Sequence, residues 1–251
     1  MQQFQGIQKN PSEGSPHGSI RQWEENVSAS QEDLKKFYSG REDNSPSIFD
    51  VWEQGAARGD SVTPSTYSHE YREMMLGTLV EALAKSDARR LLSLGCGNAV
   101  IEAELAAQGY DVLAVDAMPE AVRLARRKGL TSLLADVREW SPAPGEWPVV
   151  YADGLFGHLY DPDTRTLPIL HRIRSWFTDG GTLIASNDST RSGEPAEAAP
   201  GVNAFYWLSE DYLADQAYDA GFSFAECRTF TYSRPISGPR HRSVLIAQTA
   251  A

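Results

Sequence analysis

The feature that most constrains this chain is a regular alternation, from about Arg90 to Asp188, between short apolar runs and longer segments with helical spacing. The run RLLSLGCG reads as a buried strand ending in a glycine turn, and NAVIEAELAAQG behind it as a helix stopped by Gly109. DVLAVD reads as a second strand, and MPEAVRLARRKG as a helix with Pro119 near its start and Gly129 just past its end. TSLLAD and PVVYAD follow as strands, TLPILHRIRSWF as a helix and GTLIASND as a fifth strand. Strands that alternate with helices need crossover connections, so the pattern predicts an α/β fold with a doubly wound parallel sheet covered on both faces. Further on, SEDYLADQAYDAG reads as a helix capped by Ser209, and FAECRTFTYS and RSVLIAQT as two strands around the turn-rich RPISGPRH. The sheet should therefore hold seven strands and end in an antiparallel hairpin.

The flanks divide by composition. Residues 1–18 carry Pro11, Gly14, Pro16 and Gly18 among polar residues and predict a flexible N-terminal arm. Residues 19–85 predict an N-terminal helical cap and a lead-in helix, the cap holding Trp23, Phe37, Tyr38, Phe49 and Trp52. In the lead-in helix, from about Ser65 to Lys85, Tyr71, Met75, Leu79 and Leu83 recur every fourth position. Residues 86–251 form the predicted ligand-binding domain, with the polar, Pro- and Gly-containing stretch 189–207 as a lid-like insertion.

Composition excludes several classes of function. The formal net charge of −11 repels phosphate backbones, and the basic group Arg123, Arg126, Arg127 and Lys128 falls at a helix C-terminus, where cations complement the dipole. Nucleic acid is therefore not expected as a partner. Cys96 and Cys227 lack metal-ligand spacing, so no metal site is expected. There is no apolar run long enough for a bilayer, and the Met1 end lacks the order of a signal peptide, which predicts a cytoplasmic protein away from membranes.

A glycine turn directly after the first strand, with a helix behind it, lets backbone approach a ligand and points free N–H groups at it. Gly95 and Gly97 hold those positions. About twenty residues on, Asp116 ends the second strand, where a carboxylate can accept both ribose hydroxyl hydrogens. Together they predict a nucleoside-containing ligand across the strand ends.

Through LLSLGCGNAV, VLAVDAMPEAV, LLADVREW and VVYADGLFGHL, taken in order, the chain resembles the class I S-adenosylmethionine-dependent methyltransferases, whose fold is Rossmann-like. The resemblance runs from about Leu76 to the C-terminus and implies S-adenosylmethionine as cofactor. It implies that Gly95, Cys96 and Gly97 line the methionine and ribose part, and that Asp116, with Ala117 behind it, holds the ribose. It further implies that Asp136 accepts from the adenine amino group, that the Val137 N–H faces the ring, and that Asp153 or Gly154 lies beside the methyl. The sequence departs from the family at Ser93, where an acidic residue linked to the cofactor's amino group is usual, and at Ala99, often a third glycine. A nicotinamide dehydrogenase would want glycine or alanine at Val100.

Several positions admit two readings. Asp136 could instead cap the segment behind it. His158, just after the fourth strand, could take a proton from a hydroxyl or ammonium substrate, or could serve packing. His69, His171 and His241 read as structural, and Cys96 has no adjacent base that would make it a nucleophile. Tyr67 and Tyr71 are candidates to close over the cofactor. The resemblance implies transfer of a methyl group to a small molecule, in specialised metabolism among other settings. The acidic balance leans slightly toward N- over O-methylation. A non-methylating reaction on the same fold, such as elimination or cyclisation, and a non-catalytic nucleoside-binding regulator stand as alternatives.

Overall fold

A computed structural model describes residues 37–38, 46–56, 64–86, 88–234 and 238–250. The expected arm and most of the expected cap lie outside them. Five strands follow the predicted alternation: β1 (Arg90–Leu94), β2 (Asp111–Asp116), β3 (Thr131–Leu134), β4 (Val149–Asp153) and β5 (Thr182–Asp188). A small pair, β6 (Ala196–Ala198) and β7 (Tyr206–Leu208), precedes the long strands β8 (Phe224–Arg234) and β9 (Gly238–Gln248). The main sheet has the order β3-β2-β1-β4-β5-β9-β8, parallel as far as β5 and antiparallel across β9 and β8. This is the seven-stranded Rossmann-like sheet with a terminal hairpin that the sequence predicts.

The helices are α1 (Ile48–Glu53), α2 (His69–Ala84), α3 (Val100–Ala107), α4 (Pro119–Arg127), α5 (Pro168–Trp176) and α6 (Glu210–Asp219). Local chemistry sets their starts. Ser47, Ser68 and Ser209 each accept a backbone N–H at an N-cap, and Pro119 and Pro168 open α4 and α5. Because parallel strands are apolar on both faces, the sheet splits the core in two. Leu92, Val150, Leu183 and Leu245 pack with Ile173 and Trp176 of α5 and Leu213 of α6. On the other face Leu91, Tyr151 and Ile184 pack with Ile101 and Leu105 of α3 and with Tyr71, Met75, Leu79 and Leu83 of α2. The lead-in helix is thus built into the sheet's core.

Two segments differ from the expected pattern. The stretch 189–207, expected as a loop, contains the β6–β7 pair, and β7 buries Trp207 and Leu208 despite its short length. The turn expected over RPISGPRH is mostly ladder, with Arg234 opposite Gly238, Tyr232 opposite Arg240 and Phe230 opposite Arg242. Proline and glycine signalled a turn there, yet Pro239 and Gly238 sit within a strand. Among the described residues no helix is long and apolar enough to cross a membrane.

Candidate functional site

β1 pairs with β2 on one side and β4 on the other, so the connections leaving its C-terminal end diverge and open a crevice. That crevice is lined by the Gly95–Gly97 turn, by Asp116 and Ala117 after β2, by Asp136 and Val137 after β3, and by Asp153 and Gly154 after β4. All the residues expected to touch the cofactor, except Tyr67 and Tyr71, therefore converge on one cleft. Tyr38, Phe49 and Trp52 line it from the N-terminal side.

The turn after β1 holds Gly95 at φ +64° and Gly97 at φ +55°, which favour glycine, and a Cβ at Gly95 would lie 3.0 Å from the Leu155 side chain. Ala99, the N-cap of α3, also adopts a left-handed φ of 51°. This explains why a glycine suits that position. Asp116 stitches the turn to β2, one carboxylate oxygen accepting the Gly97 N–H at 2.9 Å and the other the Met118 N–H at 2.8 Å. Burial pushes its pKa up to about 6, against these hydrogen bonds, which favour the ionised form.

Beneath the turn the Ser93 hydroxyl donates to the Glu102 carboxyl at 2.5 Å. Glu102 rises from the first turn of α3, lines the cleft and is 4% exposed; burial pushes its pKa up to about 7. Sequence reading missed it. The available signal was its place between Ile101 and Leu105 on the apolar side of α3.

At the β4 end the Asp153 carboxylate accepts from Ser65 at 2.5 Å, from Ser186 at 2.6 Å and from Arg242. Because the Ser186 hydrogen goes to Asp153, the Tyr71 hydroxyl, 2.6 Å from Ser186, is the donor in that contact. Asp188, at the end of β5, meets Arg234, Arg240 and Arg242 at 2.9, 3.3 and 3.1 Å. Burial raises its pKa, but the arginines outweigh burial and hold it below its usual value. None of these arginines was singled out from sequence.

His158 lies in a 3-10 turn (Phe156–His158) after β4 and lines the cleft. Its Nε2 is 3.0 Å from the Tyr38 hydroxyl, its ring is 4.5 Å from that of Phe205, and among the described residues Nδ1 is buried without a well-formed hydrogen bond. Burial pulls its pKa down to about 4, partly opposed by the neighbouring Ala204 backbone, so the imidazole is neutral at pH 7. Asp136 accepts the Arg138 N–H at 2.9 Å and pairs with the Arg138 guanidinium at 2.7 Å, so it organises the turn after β3. The Cys96 thiol is buried and its pKa is raised by burial, which leaves it protonated. Tyr67 and Tyr71, expected to close over the cofactor, are not brought to the cleft. Tyr67 is half exposed, and Tyr71 is fully buried with its ring under the Arg242 guanidinium. Helical spacing correctly makes Tyr71 a core residue, but the direction it faces depends on how α2 sits on the sheet.

Comparison with known proteins places this geometry in context. A family model described as a methyltransferase domain matches residues 67–226. A tabtoxin biosynthesis enzyme of Pseudomonas amygdali pv. tabaci is 40% identical over 236 residues, covering 90% of this chain and 93% of that one. A ubiquinone biosynthesis O-methyltransferase of Xanthomonas campestris pv. campestris is 30% identical over 162 residues, 62% of each chain. Among solved structures, the Burkholderia thailandensis 1,6-didemethyltoxoflavin-N1-methyltransferase, with bound 1,6-didemethyltoxoflavin and S-adenosylhomocysteine, superposes with a TM-score of 0.58. It is 19% identical and the match covers 96% of this chain and 93% of that one, which makes it a likeness of fold.

Proposed function

The chain belongs to the class I S-adenosylmethionine-dependent methyltransferases, and from that membership we propose that it methylates a small biosynthetic molecule seated at the β4–β5 end of the cleft. The observation that carries this reading is the junction of the glycine turn with Asp116 at the switch point, which suits a ribose lying across the β1 and β2 ends. When bound, S-adenosylmethionine supplies an activated methyl on its sulfonium, so the chain's task is chiefly positioning.

In this reading Asp116 accepts the ribose hydroxyls on the lone pairs left by Gly97 and Met118. Val137 and Asp136 flank the adenine, Asp136 sharing its carboxylate with Arg138. Glu102 takes the part of the acid absent at Ser93 and receives the cofactor's ammonium. Asp153 and Gly154 border the methyl. The aromatic residues Tyr38, Phe49 and Trp52 close the cleft against water on its N-terminal side.

The N-over-O preference finds its support in the proton acceptors. His158 is neutral and weakly basic, and Asp153 is already engaged by Ser65, Ser186 and Arg242. Both are poor partners for an alcohol's proton, whereas a nitrogen that arrives neutral needs none removed before attack. The reading is tested by incubating the protein with methyl-labelled S-adenosylmethionine and a metabolite extract. The expected result is one small molecule that gains one methyl; cofactor consumption without methyl gain would favour a different reaction.

A further inference from the structure

The cleft is not uniformly acidic. At its β8–β9 end three buried arginines, Arg234, Arg240 and Arg242, pair among the described residues with two carboxylates, Asp188 and Asp153, so that there the arginines outnumber the acids they meet by one. Each guanidinium side chain is only 4% exposed. An uncompensated buried charge is costly, and such groups persist where a partner completes them. The hydroxyls of Tyr71 and Tyr232 also face the cluster, but burial raises both pKa values and they stay neutral.

Hydrogen bonding is incomplete in the same place. Among the described residues Nε of Arg240 and of Arg242 has no acceptor, while Arg234 commits Nε to Tyr232 and one terminal nitrogen to Asp188. Packing holds the planes still: Arg240 lies 3.5 Å over the Trp207 ring, with Arg242 over Tyr71 and Arg234 over Tyr232. Arg234 and Arg242 line the cleft and Arg240 does not. A Cβ at Gly154 would come within 3.7 Å of Arg242 Nη2, so this cationic end adjoins the position beside the transferred methyl.

We propose that the acceptor substrate carries a carboxylate, and that Arg234 and Arg242 bind it at the β8–β9 end of the cleft. A planar guanidinium suits a planar carboxylate, and a fixed fork would orient the acceptor as well as neutralise it. The proposal rests on the methyltransferase reading for the side of the cleft it assigns to the acceptor. The overall charge of −11 is then no guide to the substrate, because burial isolates this local field.

The test uses the full chain and glutarate as probe, with glutaramide as the uncharged control, by thermal shift at constant ionic strength, with and without S-adenosylhomocysteine. Glutarate should stabilise the protein saturably and glutaramide should not. Arg234→Gln should weaken glutarate at least about tenfold, and Arg234→Lys, which keeps the charge but not the fork, by an intermediate amount. Should the Gln variant fail to fold, the Lys variant carries the comparison. Equal responses to glutarate and glutaramide, or unchanged glutarate binding in the variants, would overturn the proposal. So would a variant that loses S-adenosylhomocysteine but keeps 5′-methylthioadenosine, because the arginines would then hold the cofactor's own carboxylate. A protein that binds glutarate through Arg234 but no sulfur nucleoside would unseat the methyltransferase reading and leave the anion site standing.

Discussion

Ser93 on β1 and Glu102 on α3 share a 2.5 Å hydrogen bond in a buried position beneath the glycine turn. The pair moves an acidic group from the strand, where the family usually carries it, onto the adjoining helix, while keeping it on the cleft. Burial lifts Glu102 to about 7, so between its ordinary value and pH 7 the folded protein holds a proton that the unfolded chain has released. Stability of the ligand-free protein should therefore fall as pH rises across that window, by up to about 3 kcal/mol from this group. Denaturant unfolding of wild type and Glu102→Gln from pH 5 to 7.5 checks it. Asp116, raised to about 6, and His158, lowered to about 4, add slopes of opposite sign below about pH 6.5, so the comparison is read as the difference between the two proteins: wild type should lose stability relative to the variant as pH rises to 7, and parallel curves would contradict the assignment.

Ala99 occupies a left-handed conformation that costs an alanine about 1–2 kcal/mol. Ala99→Gly relieves that strain but gives up a buried methyl and stiffness of the unfolded chain, so its stability should stay within about 1 kcal/mol of wild type. Ala99→Val, β-branched at positive φ, should cost at least about 2 kcal/mol in the same unfolding measurement.

His158 is expected to act as a wall that orients Tyr38 rather than as the base. His158→Gln, which can still bond the Tyr38 hydroxyl, should retain kcat within about threefold of wild type, far from the loss of at least about a hundredfold that removal of a general base brings. A pH–rate profile that loses an ionisation in the variant would restore the catalytic role.

Trp52 faces Gly97 across 3.5 Å, measured to a Cβ placed there, and stacks edge-on with Phe49 and Tyr38. Removing residues 1–59 should therefore abolish methyl transfer while leaving some nucleoside binding through Asp116. Truncation at residue 15 should change neither. Full turnover without the longer segment would reduce the cap to packing.

The succession of strands and the glycine turn were legible because apolar period and glycine punctuation are local signals, and the place of Asp116 on the cleft because it ends the strand that follows that turn. The arginine cluster was not. Arg240 and Arg242 alternate as strand residues do, but alternation does not say which face meets solvent, and charge ordinarily marks the solvent face. Pro239 and Gly238 then disguised the strand as a turn. Glu102 was hidden for a related reason: an acid in a helix's first turn usually complements the dipole in water, and its burial follows from the register of α3 against β1. Asp136 shows the converse case, since its bonds to Arg138 display the turn-organising role that the sequence offered beside an adenine contact.

The most direct test of the cofactor site is calorimetry of S-adenosylhomocysteine binding to wild type and to Asp116→Asn, an isostere that keeps one acceptor oxygen but loses the charge. Two charge-assisted hydrogen bonds to the ribose, at about 1.5–3 kcal/mol each, predict a loss of at least about tenfold in affinity; because the Asn amide also gives up one of the two backbone N–H bonds that Asp116 accepts, unfolding and circular dichroism of the variant are measured alongside. Wild-type affinity should also rise with pH through about 6, as the Asp116 proton leaves. Wild-type protein that ignores S-adenosylhomocysteine and binds NAD, or a folded variant with unchanged affinity, would contradict it.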